Sequence, residues 1–339
     1  MLTELGITAP VLAAPMAGGP STPELVVAAG KAGSMGFLAG GYKTPQALAE
    51  QIAAVRAEGV PFGVNLFAPN SVPVSTADYR AYREQLLGEA EQLGVQLPDE
   101  PVEDDDHWRA KVELLLADPV PVVSFTFGLP DREVIGQLRE AGTLVVQTVT
   151  SPNEAGLAAE AGAQALVVQS AAAGGHSATL TPAQNPPELP LPQLIGEVRA
   201  VTDLPLLAAG GIGGPADVAA AVRAGAEGVV VGTALLRTRE SGASAPHRAA
   251  LVDPAFGSTV VTRAFTGRPA RALRNRFIDS YEPSAPTAYP ALHHLTSPLR
   301  KAATASGDTD RIHLWAGTGH REARVEPAAE TLARLAQDL

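Results

Sequence analysis

The sequence predicts an α/β protein: a closed (β/α)8 TIM barrel with a second, smaller, mostly helical domain. Three observations carry this. Eight short apolar runs recur along the chain, alanine-rich amphipathic segments separate them, and glycine-rich loops follow the seventh and eighth runs. Eight β-then-α units of continuous buried character close into a barrel more readily than they lie in an open sheet, which usually has fewer strands.

The runs are Val11–Met16, Met35–Ala39, Phe62–Phe67, Val122–Phe127, Leu144–Val149, Ala165–Gln169, Leu204–Ala209 and Gly228–Val231. They are apolar on both faces, as strands of a helix-covered parallel sheet must be. The intervening segments Thr22–Ala32, Pro45–Glu58, Asp131–Ala141, Asn153–Ala161 and Ala216–Ala224 are rich in good helix formers. Thr22-Pro23, Thr44-Pro45, Ser151-Pro152 and Gly214-Pro215 supply start signals. Gly33, Gly59, Gly142, Gly162 and Gly225 stand where the helices stop. The loop after the first strand, Pro15-Met16-Ala17-Gly18-Gly19, lacks the Gly-x-Gly-x-x-Gly spacing of a dinucleotide fold.

Two regions break the rhythm. An insertion over 68–119 carries helical segments at Ala77–Leu93 and His107–Leu116; its acidic run Glu103–Asp106 reads as a solvated helix start rather than a metal site. Residues 240–307 show no strand–helix alternation and are assigned to the smaller helical domain over the barrel mouth, with Leu273–Ser280 helical. The barrel then comprises 1–239 and 308–339, ending in the helix Ala328–Leu339.

A net charge of −11 argues against nucleic acid and anionic membrane surfaces as partners. The chain has no cysteine, which excludes disulfides and thiolate chemistry, and no run of membrane-spanning length or signal-peptide pattern. A soluble cytoplasmic protein is expected, with small-molecule partners and a homodimer left open. No metal is expected, because His293, His294, His313 and His320 are scattered and read as surface or interdomain residues.

The chemistry concentrates at the ends of the strands. Gly210-Gly211-Ile212-Gly213-Gly214-Pro215 follows the seventh run, and Val230-Val231-Gly232-Thr233 ends the eighth. Barrels frequently bind phosphate at these two loops, where backbone N–H groups at a helix start face the ligand. The alternative is that the glycines only tighten two turns. Either a substrate phosphate or flavin mononucleotide (FMN) would fit, and the rest of the mouth favours the flavin. Its strand ends offer the amides Asn65, Gln147 and Gln169 and the small stretch Ala14-Pro15-Met16-Ala17, suited to a flat ring edge rather than to acid–base work. After the sixth run, Gly174-Gly175 presents His176, either a catalytic group or an incidental histidine on a tight turn.

Taken together, Ala14–Gly19, Gly63-Val64-Asn65-Leu66-Phe67, Ser124–Pro130, Gly174-Gly175-His176, Ala209–Ile212, Val231-Gly232-Thr233, Gly267–Arg271 and Trp315-Ala316-Gly317 resemble the nitronate monooxygenase (2-nitropropane dioxygenase-like) family of FMN-dependent barrels. The resemblance implies oxidation of alkyl nitronates, and of nitroalkanes, by O2 to a carbonyl compound and nitrite. It implies His176 as the base, and Asn65, Gln169, Gly174, Gly211 and Val230–Thr233 as flavin contacts. Two departures bear on pocket shape: Ala172 stands where the family commonly has Glu, and Ser177-Ala178 where it has Arg-Gly. FMN-dependent enoyl-acyl-carrier-protein and quinone reductases look similar at these loops and would add NAD(P)H. In that case Arg268 and Arg271 could hold a nucleotide phosphate, ordinary ion pairs being their simpler role. A flavin-binding barrel without catalysis is the third alternative.

Overall fold

The computed structural model describes residues 1–339. Eight parallel strands close a barrel: β1 (Val11–Ala13), β2 (Gly36–Ala39), β3 (Phe62–Ala68), β4 (Val122–Phe127), β5 (Leu144–Val149), β6 (Ala165–Gln169), β8 (Leu206–Ala209) and β9 (Gly228–Val231). Closure is made by β9 pairing with β1, Val11 opposite Val229 and Ala13 opposite Val231. All eight runs read from the sequence are strands. The remaining β7 (Gly175–His176) lies outside the barrel.

Leu12, Phe37, Val122, Val146, Val167, Leu207 and Val230 fill the barrel's interior, and the outward residues of the same strands pack under the helices. This two-faced burial explains the unbroken apolar runs. The helices are α1 (Pro23–Lys31), α2 (Pro45–Arg56), α3 (Thr76–Leu93), α4 (Trp108–Ala117), α5 (Arg132–Glu140), α6 (Pro152–Ala161), α7 (Leu191–Arg199), α8 (Pro215–Arg223), α9 (Ala245–Ala250), α10 (Arg276–Tyr281), α11 (Ala291–Ser306) and α12 (Ala328–Leu335). Hydroxyls of Thr22, Thr44 and Ser151 accept from the third residue onward, which fixes the starts of α1, α2 and α6. No helix is long and apolar enough to cross a membrane.

The segment 240–307 contains a hairpin that its sequence does not announce. β10 (Thr259–Thr262) pairs antiparallel with β11 (Ala270–Leu273), and β11 pairs with β7, so that Ala270 lies opposite His176. Leu273 therefore ends a strand, and the helix expected over Leu273–Ser280 begins only at Arg276, capped by the Asn275 side chain. Helix propensity there yields to tertiary pairing of a short alternating segment.

The insertion and this segment form one layer over the mouth. Tyr79, Tyr82 and Leu86 of α3 pack with Phe265, Phe277, Leu292, Leu295 and Leu299. Tyr82 donates to the Ala264 carbonyl at 2.7 Å. Glu89, only 4% exposed, accepts from Arg276 at 2.7 and 3.0 Å, from Tyr281 at 2.9 Å and from Arg311. These cations hold its carboxyl down at about 2, against desolvation, which pushes the other way.

Candidate active site

A cavity of about 1020 Å³ opens at the carboxyl ends of the barrel strands, beneath the overlying layer. Its lining includes Ala14, Pro15, Met16, Ala17, Asn65, Gln169, Gly174, Gly175, His176, Gly210, Gly211, Val230, Val231, Gly232 and Thr233. The structure therefore brings most of the expected site residues to one place.

Two lie elsewhere. Gln147 is 1% exposed, and its Nε2 donates to the carbonyls of Gly128 (3.2 Å) and Thr148 (3.1 Å), behind the wall. Its side chain alternates to the other side of β5 from the mouth. The N–H of Gly213 is taken by Asp217, whose carboxylate accepts from Gly213 and Gly214 at 2.9 Å each and so caps α8 internally.

The backbone of the other loop residues is free. The N–H groups of Gly210, Gly211, Gly232 and Thr233 have no protein partner. Gly210 and Gly211 hold φ of 109° and 76°, consecutive positive values that turn successive amides into one concavity. The Thr233 hydroxyl accepts from Gly317 N–H at 3.0 Å and ties the late loop 315–319 to the rim. A Cβ at Gly174 would meet Gly317 N at 2.5 Å and Ala316 C at 2.6 Å, so that close approach requires glycine.

His176 is held on all sides. Its backbone is a rung of the β7–β11 ladder, and its carbonyl accepts from Gln169 Nε2 at 3.3 Å. Gln169 Oε1 accepts from Ala178 N–H at 2.8 Å, so this amide, expected on the flavin, also clamps the histidine's loop. Phe127, Tyr289 and Trp315 surround the imidazole with ring centroids at 5.5, 5.9 and 5.3 Å. Nε2 lies 2.9 Å from Thr266 Oγ1, and that hydroxyl donates onward to the Arg268 carbonyl at 3.4 Å. In this arrangement Nε2 carries the hydrogen. Nδ1 has no protein hydrogen bond and is not sealed from the cavity. Desolvation first, then the charges of Arg268 and Arg300, push the imidazole pKa down to about 3. The ring is neutral at physiological pH.

The family model for nitronate monooxygenase matches residues 1–338. The chain belongs to the nitronate monooxygenase family. This is a family of flavin-dependent oxidoreductases, and membership places the chain among enzymes that oxidise nitro compounds. A probable nitronate monooxygenase of Staphylococcus aureus (strain Newman) is 34% identical over 336 residues, covering 98% of this chain and 94% of the relative. The crystal structure of nitroalkane oxidase from Streptomyces ansochromogenes is similar with a TM-score of 0.94 and 48% identity, over 100% of this chain and 97% of that one. FabK from Thermotoga maritima shares the fold more distantly, with a TM-score of 0.77 and 26% identity over 99% and 94% of the two chains.

Several members of this nitronate monooxygenase site escaped the sequence reading. Arg268 is fully buried rather than part of a surface or interdomain ion pair: Nε donates to Ser177 O at 3.2 Å, Nη2 to Thr179 O, and the guanidinium lies 4.1 Å over the Phe127 ring. Phe127 itself holds φ of 81° at the end of β4, an uncommon value for an aromatic, and Asn70 fixes its carbonyl at 2.8 Å. That positive φ turns the ring toward His176. Of the histidines expected at surface or interdomain positions, His293, His294 and His313 line the cavity between the barrel and the overlying layer, and His320 is buried against the Leu251 carbonyl at 2.8 Å. Burial and the Arg300 charge push His293 and His313 well below their ordinary range. The acidic run is solvated and directly precedes α4, as expected: Glu103, Asp104 and Asp105 are exposed. Asp104, Asp105, Asp106 and His107 line the mouth, where Asp106 pairs with Lys111 at 2.7 Å and accepts from Tyr42 N–H at 2.9 Å. The only sequence sign of these roles was proximity to the Phe-Thr-Gly-Arg and Phe-Thr-Phe-Gly stretches; the partners are far apart in the chain.

Proposed function

We propose that the protein uses FMN and O2 to oxidise alkyl nitronates, and nitroalkanes, to a carbonyl compound and nitrite, with His176 as the base. The observation that carries this reading is the neutral imidazole with an unpartnered Nδ1 in a cavity that the buried cation Arg300 lines, with a second buried cation, Arg268, packed on the Phe127 ring beside it. A base must be deprotonated before the reaction and must work where the developing anion is stabilised.

The cavity residues fit FMN. Four unpaired amides on Gly210, Gly211, Gly232 and Thr233 suit a phosphate dianion. Ala14–Ala17 present little side-chain bulk, and Asn65 keeps Oδ1 unpaired while its Nδ2 donates to Ser124 Oγ at 2.9 Å. When bound, FMN would supply the electron acceptor and the site of reaction with O2. The protein's own residues do the rest. Nδ1 of His176 takes the proton from the carbon bearing the nitro group, and the C–H electron pair moves onto that group as the nitronate. Thr266 holds the Nε2 hydrogen and so fixes the tautomer whose Nδ1 lone pair is free. Phe127, Tyr289 and Trp315 pack around the imidazole and leave Nδ1 open to the cavity.

Anaerobic photometry of the flavin-loaded protein tests this. A nitronate is expected to bleach the visible flavin band within the turnover time, and NADH is expected not to. Bleaching by NADH alone would make the protein a reductase, and a flavin inert to both would make it a binding protein.

A further inference from the structure

The far wall of the cavity holds a charge that nothing in the protein balances. Arg300, on α11, is 7% exposed and lines the cavity. Its Nε donates to Thr296 Oγ1 at 3.0 Å, and Nη2 to the His293 carbonyl at 2.8 Å and His293 Nδ1 at 3.3 Å. Nη1 makes no hydrogen bond in the protein, yet it is not sealed from the cavity. No carboxylate forms a salt bridge with the guanidinium; at the mouth Asp106 pairs with Lys111, Asp104 with His294, and Asp105 is exposed. Burial lowers the guanidinium only to about 10, so it stays cationic at neutral pH.

An unpaired buried cation is costly and is retained where an anion completes it. Arg300 lines the same cavity as His176 and is linked to it by a chain of contacts. The His176 ring lies 5.9 Å from Tyr289, Tyr289 lies 6.2 Å from His293, and His293 bonds Arg300 directly. His293 is locked by stacking on Tyr42, centroids 4.2 Å apart and planes 5° apart, so the guanidinium's held edge is rigid and its free edge points at the open space. With Nε and Nη2 engaged, Nη1 is left to make a charge-assisted bond to one oxygen of an anion such as a nitronate.

We propose that Arg300 recognises the anionic head group of the substrate, Nη1 donating to a nitronate oxygen, and that it makes the enzyme favour ionised over neutral nitro compounds. This rests on the nitronate reading above.

The test uses the flavin-loaded parent, Arg300→Gln and Arg300→Lys, with preformed ethylnitronate, neutral nitroethane and, as a non-reacting planar anion, nitrate titrated by calorimetry. Arg300→Gln is expected to raise KM for the nitronate and Kd for nitrate by about tenfold or more, and KM for nitroethane by less than about threefold, as loss of one charge-assisted bond implies. A folded Arg300→Gln with parent values for nitronate and nitrate overturns the proposal. Should that variant fail to fold, Arg300→Lys decides, because it keeps the charge and loses the Nη1 donor that the Thr296 and His293 bonds hold in place. Nitrate affinity about threefold weaker is expected, and affinity equal to the parent's overturns the geometry. A parent that binds nitrate but oxidises no nitro compound would refute the reaction while leaving the anion site standing.

Discussion

On the barrel side of the cavity the wall is backbone: free amides at Gly210, Gly211, Gly232 and Thr233, and a glycine at 174 pressed against the 316–317 peptide. On the opposite side the wall is side chain: Phe127, Tyr289, His293, Arg300 and Trp315, carried by β4, α11 and the segments flanking it, with Arg268 packed behind Phe127. The first wall needs small residues in a fixed local order and no particular partner. The second needs large and charged residues that meet only after folding. A backbone wall binds a constant group, and a side-chain wall is where chemistry and selectivity are set.

The sharpest way to separate the two walls is to remove the base. His176→Ala is expected to lower kcat/KM for neutral nitroalkanes by about 10²–10⁴, the range for a lost general base, with FMN still bound on the backbone side. Parent-like turnover of nitroethane by a folded variant would reject the assignment.

Acid should act on the side-chain wall. His247 (Nε2 3.0 Å from Trp315 O) is pushed down to about 4 by desolvation, and His176 to about 3. In the unfolded chain these histidines titrate near their ordinary 6.5. Between the folded and unfolded pKa values the unfolded state binds more protons, so stability rises with pH across that window. The contribution is complete above pH 6.5 and is lost as pH falls toward 4 and then 3. His247 alone accounts for about 3 kcal/mol of that loss. Urea unfolding midpoints measured from pH 7.5 to 4.5 check it, and a flat profile would contradict the burial of neutral imidazoles.

The backbone wall should fail to a single methyl. Gly174→Ala places Cβ against the Ala316–Gly317 peptide, which cannot yield as a side-chain tip does, and is expected to cost about 2 kcal/mol and to weaken FMN retention. Melting temperature and the flavin-to-protein absorbance ratio report both. The smallest effect is expected at Thr266→Val, which removes the Nε2 partner 2.9 Å away without emptying the space. A fall in kcat of about tenfold with little change in KM is expected. It should bring a shifted pH–rate profile, which mere packing loss would not produce.

The same division explains what could be read before folding. The eight strands, the capped helices and the glycine loops are local: apolar runs of strand length and Ser/Thr/Gly-Pro starts carry their meaning within a dozen residues. Gly174-Gly175-His176 was legible for the same reason. Gln147 was misplaced by the strand's two-residue period, a parity that composition does not reveal. Arg268 and His293 were read as ordinary, and Arg300 drew no reading, because nothing near them in the chain names their surroundings. The carbonyls that hold Arg268 lie 91 and 89 residues away, in the Ser177–Thr179 stretch. The hairpin β10–β11 was missed because its strands have only four residues each, and their pairing with β7 is settled by tertiary contact.

The pairing of β7 with β11 has one practical consequence. His176 hangs from a ladder whose other rungs belong to residues 259–273, so the barrel does not own it outright. Anyone exchanging the 240–307 module between relatives to alter selectivity is also changing the suspension of the imidazole. A chimera that keeps this barrel's 174–180 loop while importing a foreign hairpin will inherit the histidine without its orientation.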